Sequence, residues 1–313
     1  MWTPGRGENR QGGPAPTIMS DPIMTRHPVT IPELEATALR ARREIVKAIA
    51  HAKGGHLGGP LSAIDILTAL YFSIMNIRPA QPDWPERDRF ILSKGHSSIA
   101  LYVVLALRGY FPVDELRTFD AVNSRLQGHP DMTALPALDM SSGSLGLGFG
   151  AAVGVALGGR LAGMDFTTFV MVGDGECNEG IIWEGADVSR RYALDNLVVV
   201  VDKNDLQQFG WRKGVIAERR PPYADDELRD RWAAFGWSVS DVDGHDMAAV
   251  VQALEEAKQA EGRPAVIIAH TVKGKGVSFM EGDFRWHNRV PTEEDLSAAL
   301  FELSGANVPG TAV

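Results

Sequence analysis

Hydrophobic positions along this chain follow two alternating signatures: short apolar runs, and longer stretches with apolar residues at helical spacing. Residues 166–172 form one run and 197–201 another, both rich in β-branched side chains. Runs that are apolar on both faces read as parallel strands covered from both sides. Between them, 179–193 is helical in pattern, so the stretch reads as strand, turn, helix, strand, with the strands parallel. Upstream, Thr30-Ile31-Pro32-Glu33 is a capping box with proline in the first turn, followed by Leu34, Ala38, Ala41, Ile45 and Ile49 at helical spacing. A second helix is predicted from near Leu61. Strands are predicted at 88–93, 237–241 and 265–269, and helices at 98–107, 151–162, 225–235 and 246–260. Thr292 to Asp295 caps a last helix. The alternation predicts an α/β fold: a doubly wound, mostly parallel sheet with helices on both faces.

The 313 residues are 44 % hydrophobic, enough for a large core. Residues 1–29 are rich in Gly, Pro and polar side chains without periodicity and are expected to be a disordered leader. One domain is expected over 30–305, with a frayed tail at 306–313. The formal net charge of −9 argues against nucleic-acid and anionic-membrane partners. No window approaches a membrane span and the N-terminus lacks a signal pattern. The single cysteine, Cys177, excludes an internal disulfide and suits a reducing cytoplasm. No Cys/His spacing supports a zinc site.

The chemistry concentrates where strands end. Gly173-Asp174-Gly175 follows the first apolar run, and Asp202-Lys203-Asn204-Asp205-Leu206 follows the second. Parallel pairing brings these ends together, where open α/β sheets bind ligands. A carboxylate from Asp174, an amide oxygen from Asn204 and a nearby backbone carbonyl make a hard-oxygen site that suits Mg²⁺ with phosphate oxygens. The flanking glycines let backbone approach a phosphate, and the following helix N-terminus offers N–H groups. A Gly-Asp-Gly turn alone is common; the second strand ending in Asp-Lys-Asn, 30 residues from Asp174 to Asn204, makes it specific. Four further stretches carry candidate groups: His56 between glycines 54–55 and 58–59, Lys94-Gly95-His96-Ser97, Gln127-Gly128-His129-Pro130, and Lys273-Gly274-Lys275-Gly276 followed by Trp286-His287. Gly143 to Gly150 is glycine-rich but matches neither a dinucleotide fingerprint nor a Walker sequence.

As a set these motifs resemble the thiamine-diphosphate enzymes, and more narrowly transketolase, across about residues 31–300. The carriers are GDGECNEGIIWE with DNLVVVVDKN, GGHLGGPLS, LSKGH, QGHP, GSLG and KGKG followed by WH. The resemblance implies that Asp174, the Asn204 side chain and the Leu206 carbonyl bind Mg²⁺. It implies that Gly175, Asn204, His96, Gly143, Ser144, Leu145, Lys273 and His287 contact thiamine diphosphate. His56, His129 and His287 would face the reacting sugar and move protons, with imidazoles near neutral pKa expected to suit that work. Three positions depart from the family pattern: Leu57, Leu147 and Asn288.

A full transketolase is about twice this length, with a pyrimidine-binding domain that carries the Glu activating the cofactor. The resemblance therefore implies the N-terminal subunit of a split transketolase, transferring a two-carbon ketol group from a ketose to an aldose. A separate C-terminal subunit with the pyrimidine-binding domain would complete each site, in a heterotetramer of two chains each acting on sugars or sugar phosphates. Two other readings stand beside it: the α subunit of a 2-oxo acid dehydrogenase, and a catalytically degenerate cofactor-binding partner. The first lacks the SKGH, QGHP and KGKG…WH set; the intact Asp174, Asn204 and Leu206 set argues against the second.

Overall fold

The computed structural model describes residues 29–208 and 227–305. The expected leader (but for Val29), the first two residues of the helix predicted at 225–235, and the expected tail lie outside the described residues.

Among the described residues, five parallel strands form one sheet: β1 (Arg89–Leu92), β2 (Thr168–Gly173), β3 (Leu197–Lys203), β4 (Ser238–Asp243) and β5 (Ala265–His270), in spatial order β1-β2-β3-β5-β4. Among the described residues the helices are α1 (Ile31–Ala52), α2 (Gly58–Ala69), α3 (Ser98–Arg108), α4 (Leu147–Leu161), α5 (Gly180–Arg191), α6 (Glu227–Ala234), α7 (Met247–Lys258) and α8 (Glu293–Glu302). The period-2 alternation within each strand splits the core in two. Phe90, Phe169, Met171, Val198, Val200 and Ile267 face one layer with side chains of α1, α2, α3 and α7. Ile91, Val170, Val172, Val199, Val201 and Ile268 face the other, with α4, α5 and α6. Both faces are thus covered, as the sequence predicts. Handedness explains the placement of α4, α5, α6 and α7, while α3 packs with α1 and α2 on the face that α7 also covers. A right-handed crossover moving one way along the sheet places its helix on one face, and a reversed move places it on the other. The path β1 to β2 to β3 to β4 runs one way; β4 to β5 turns back, and α7 falls on the opposite face.

Helix α1 begins as the capping box requires: the Thr30 amide and hydroxyl both donate to the Glu33 carboxylate at 2.8 Å. Two boundaries differ from the sequence reading. Helix α2 begins at Gly58 rather than near Leu61, because Pro60 fits a helical first turn and the glycines precede it without side chains to place. Every residue of α2 is buried. Helix α4 begins at Leu147 rather than Ala151, after Gly146 turns the chain at φ 82°. A β-carbon at Gly146 would come within 2.4 Å of Ile181 Cγ2, so the α4–α5 approach excludes a side chain there. Helix α2 also continues into a wider turn, Leu70–Ile74, closed by Met75 N to Leu70 O at 2.9 Å, which the sequence pattern did not announce.

Candidate active site

The carboxyl ends of four strands converge on one cavity of about 490 Å³. After β1 come Lys94 and a short 3₁₀ turn, Gly95–Ser97, carrying His96. After β2 come Asp174 and Gly175, after β3 Asn204, and after β5 the loop bearing Lys273. His56 precedes α2, and His287 ends the turn Phe284–His287; the Leu57 amide donates to the His287 carbonyl at 3.2 Å, joining those two segments.

Ten of the residues expected at the site line this cavity: His56, His96, His129, Gly143, Leu145, Asp174, Gly175, Asn204, Lys273 and His287. Two do not. Ser144 is exposed and Leu206 is buried, and neither is among the residues that line the cavity.

Four imidazoles crowd together. Ring centroids are 5.0 Å apart for His56–His96 and for His56–His287, 5.2 Å for His96–His287 and 6.3 Å for His56–His129. Burial lowers the pKa of His56, with help from His129 and Lys273. Burial, then Lys94, holds His96 well below the ordinary range. His287 is pushed down to about 3 by burial first and then Lys273. The expectation of near-neutral values is therefore corrected for His56 and His287, which with His96 are uncharged at neutral pH. The Nδ1 atom of His287 is buried with no hydrogen-bond partner among the described residues.

The charged groups divide into paired and unpaired. Asp202, fully buried, accepts from the Lys94 ammonium, from Ser62 Oγ at 2.6 Å and from the Thr271 hydroxyl. Burial raises its pKa, but the Lys94 charge and the hydrogen bonds from Lys94, Ser62 and Thr271 together hold the carboxyl below its usual range. Lys273 is 3 % exposed, and its ammonium has no hydrogen bond or ion pair among the described residues. Burial, then Lys94, lowers it to about 8. Asp174 accepts from the Gly175 amide at 2.7 Å and the Asp205 amide at 2.6 Å, and burial, then Asp202, raises it to about 6.

Some members were not singled out from sequence. Glu176 accepts from Ser93 Oγ, from the Gly146 amide at 2.7 Å and from the Gly173 amide at 3.1 Å. It thereby ties the ends of β1 and β2 to the entry of α4, which carries Gly143 and Leu145 to the cavity. Lys94 and Asp202 sat inside quoted motifs, as polar residues ending otherwise apolar strands, which was the available signal.

The donor set fits a diphosphate and a hard cation. A buried ammonium without a carboxylate partner suits an anion, and backbone is bare beside it. A β-carbon at Gly59 would reach within 3.1 Å of Ser97 Oγ and 3.6 Å of His96 Nε2, and one at Gly175 within 3.3 Å of Gln207 Cα. A carboxyl group raised by burial is one that a cation would return to its ionised form. Among the described residues no group of three or more His, Cys, Asp or Glu side chains is arranged to hold a metal. The expected set contains one carboxylate, its other donors being an amide and a backbone carbonyl.

Comparison with known proteins agrees with this geometry. The family model for the transketolase, thiamine diphosphate binding domain, matches residues 35–305. The 6-deoxy-6-sulfo-D-fructose transketolase subunit SqwG of Clostridium sp. (strain MSTE9) is 44 % identical over 271 residues, covering 87 % of this chain and 96 % of that protein. An apulose-4-phosphate transketolase subunit of Phocaeicola vulgatus is 40 % identical, covering 87 % of this chain and 94 % of that protein. The solved transketolase of Campylobacter jejuni superposes with TM-score 0.78 at 29 % identity, over 87 % of this chain and 42 % of that one. The chain thus spans about two fifths of the length of that solved transketolase, and nearly all of the two subunits.

Proposed function

The chain belongs to the transketolase family, in its thiamine diphosphate binding domain, and from that premise we propose that it is the cofactor-binding subunit of a two-subunit transketolase. The reaction is two-carbon ketol transfer from a ketose to an aldose, each a sugar or sugar phosphate. The observation that carries this reading is the convergence, in one cavity, of an unpaired buried ammonium, the Asp174–Asn204 pair and three uncharged imidazoles. Coverage of nearly the full length of two relatives named as transketolase subunits supports the division between two chains. That similarity also favours it over a 2-oxo acid dehydrogenase subunit.

Thiamine diphosphate, when bound, supplies the nucleophilic carbon and the electron sink for C–C cleavage. The protein's part follows from its side chains. Lys273 and the bare backbone at Gly175 would hold the diphosphate, and Asp174, Asn204 and the Leu206 carbonyl would hold Mg²⁺. His96, Gly143, Ser144 and Leu145 would flank the cofactor, although Ser144 is exposed and does not line the cavity. His56, His129 and His287 face the sugar. Because burial keeps His56 and His287 uncharged, each begins as a proton acceptor for a substrate hydroxyl, and the ion it then becomes is the donor for the return step. A second chain would complete the site, with the pyrimidine-binding domain and its activating carboxylic acid. Two copies of each chain make the assembly.

The test is a coupled assay for the product aldose on the isolated chain and on the chain mixed with its second subunit. The isolated chain should transfer nothing and the mixture should turn over. Full activity from the isolated chain would refute the two-chain reading; no transfer by the mixture, with cofactor bound, would refute the activity.

A further inference from the structure

Lys273 presents a physical problem. The residue is buried, and its ammonium faces the cavity without a carboxylate partner among the described residues, so it is drawn toward water. It sits in a loop with glycines at φ 83° (Gly274) and φ 94° (Gly276), a backbone path that local propensity leaves to be set by its contacts. Something outside the loop must hold it.

Three residues that do not line the cavity do so. Arg42 of α1 and Asp65 of α2 form a bidentate pair, Nη1 to Oδ1 at 2.9 Å and Nη2 to Oδ2 at 2.5 Å, with both residues buried. Arg42 Nε also donates to the Lys275 carbonyl at 3.1 Å. Asp65 Oδ2 lies 2.7 Å from His245 Nδ1, and the Val272 amide donates to His245 Nε2 at 2.8 Å. An amide can only donate, so Nε2 accepts and the ring proton is on Nδ1, donated to Asp65. Burial raises the Asp65 carboxyl, but His245 and Arg42 together hold it below its usual range, so the acceptor at the centre stays ionised. One buried carboxylate therefore fixes two groups, and these grip the loop on both sides of Lys273.

We propose that Arg42, Asp65 and His245 form a buried positioning relay that fixes the backbone at Val272 and Lys275 and so presents the Lys273 ammonium to the cofactor diphosphate. The inference rests on the reading that this cavity takes thiamine diphosphate. His245 is a positioning residue, acting through Lys273. The relay is distinct from the Asp202–Lys94 pair, which reaches the loop only through the Thr271 hydroxyl.

Two measurements test it. In the chain without ligand, His245→Asn removes the acceptor for Val272 while leaving an amide donor toward Asp65; His245→Gln carries an acceptor out to Val272. Hydrogen exchange over 271–276 should rise about tenfold in His245→Asn, the loss of one hydrogen bond, and return toward wild type in His245→Gln. Exchange in α1 should not change. Unaltered exchange over 271–276 would overturn the inference whatever the ligand. The second measurement is a double-mutant cycle on thiamine diphosphate affinity, with Mg²⁺, on the chain assembled with its second subunit. His245→Asn should weaken binding about tenfold and Lys273→Ala about 10- to 100-fold, and the double variant should be no weaker than Lys273→Ala alone. Additive losses would overturn the relay while leaving the site's reading intact. A wild-type assembly that binds no thiamine diphosphate would overturn the reading of the site, and the inference with it.

Discussion

Removing the Lys273 charge should stabilise the free chain and cripple its cofactor binding. The residue is 3 % exposed, and its pKa falls from 10.5 to about 8, chiefly by burial. A fall from 10.5 to about 8 corresponds to about 3 kcal/mol of cost for keeping the charge in the folded state. Lys273→Met keeps the apolar stem and drops the charge, so it should recover up to about 3 kcal/mol, or about 6 °C in Tm for a chain of this size. The sign follows from proton binding. Below about pH 8 the folded lysine is charged and the cost is complete. Between about pH 8 and 10.5 the unfolded chain binds more protons than the folded one, so wild-type stability rises with pH and the variant's advantage fades. Above 10.5 it is gone. Thiamine diphosphate titration should move the other way, with about 10- to 100-fold weaker binding from the lost charge-assisted contact. Thermal melts at pH 7 and 10 with and without cofactor read both effects. A variant less stable than wild type at pH 7, with unchanged cofactor affinity, would refute the reasoning and make Lys273 a structural residue.

Asp174→Ala should abolish Mg²⁺-dependent cofactor binding in calorimetric titration; in the wild type, Mg²⁺ affinity should fall about tenfold per pH unit below about 6, as the carboxyl takes up its proton. His56→Ala and His287→Ala should each lower kcat/KM of the assembled enzyme by about 10²- to 10⁴-fold, and wild-type rates in both would remove their proton-transfer roles. Asp202→Asn should cost about 3–5 kcal/mol, because the buried Lys94 ammonium loses its charge partner; an unshifted melting curve would show that the pair contributes nothing net.

How much of this was legible in the chain depends on the range of the physics involved. The apolar runs at 166–172 and 197–201 gave the buried parallel strands because burial on both faces is written locally. The Asp174 to Asn204 interval gave the meeting of strand ends because a βαβ unit leaves little freedom. The capping box at Thr30 and Glu33 gave the start of α1, since its hydrogen bonds span one turn. The resemblance then supplied the expected cofactor and the roles of residues such as His96 and Lys273, which composition and periodicity leave open.

Other features were decided only when distant segments packed. Boundaries at α2 and α4 shifted because glycines at 58 and 146 answer to neighbours across the fold, which local propensity does not see. Ser144 lies next to two lining residues yet faces solvent, since backbone direction at a helix entry depends on what α5 and Glu176 hold in place. The imidazole charge states reversed the sequence expectation because desolvation is a property of the assembled cavity. Arg42, Asp65 and His245, separated by as many as 203 residues in numbering from 42 to 245, carry no motif in common. Sequence alone determined which chemistry sits at the strand ends, because that is fixed by residue type and strand order. Tertiary structure decided which groups are charged, which are paired and which loop is held still, because each of those depends on water being excluded by residues far away in the chain.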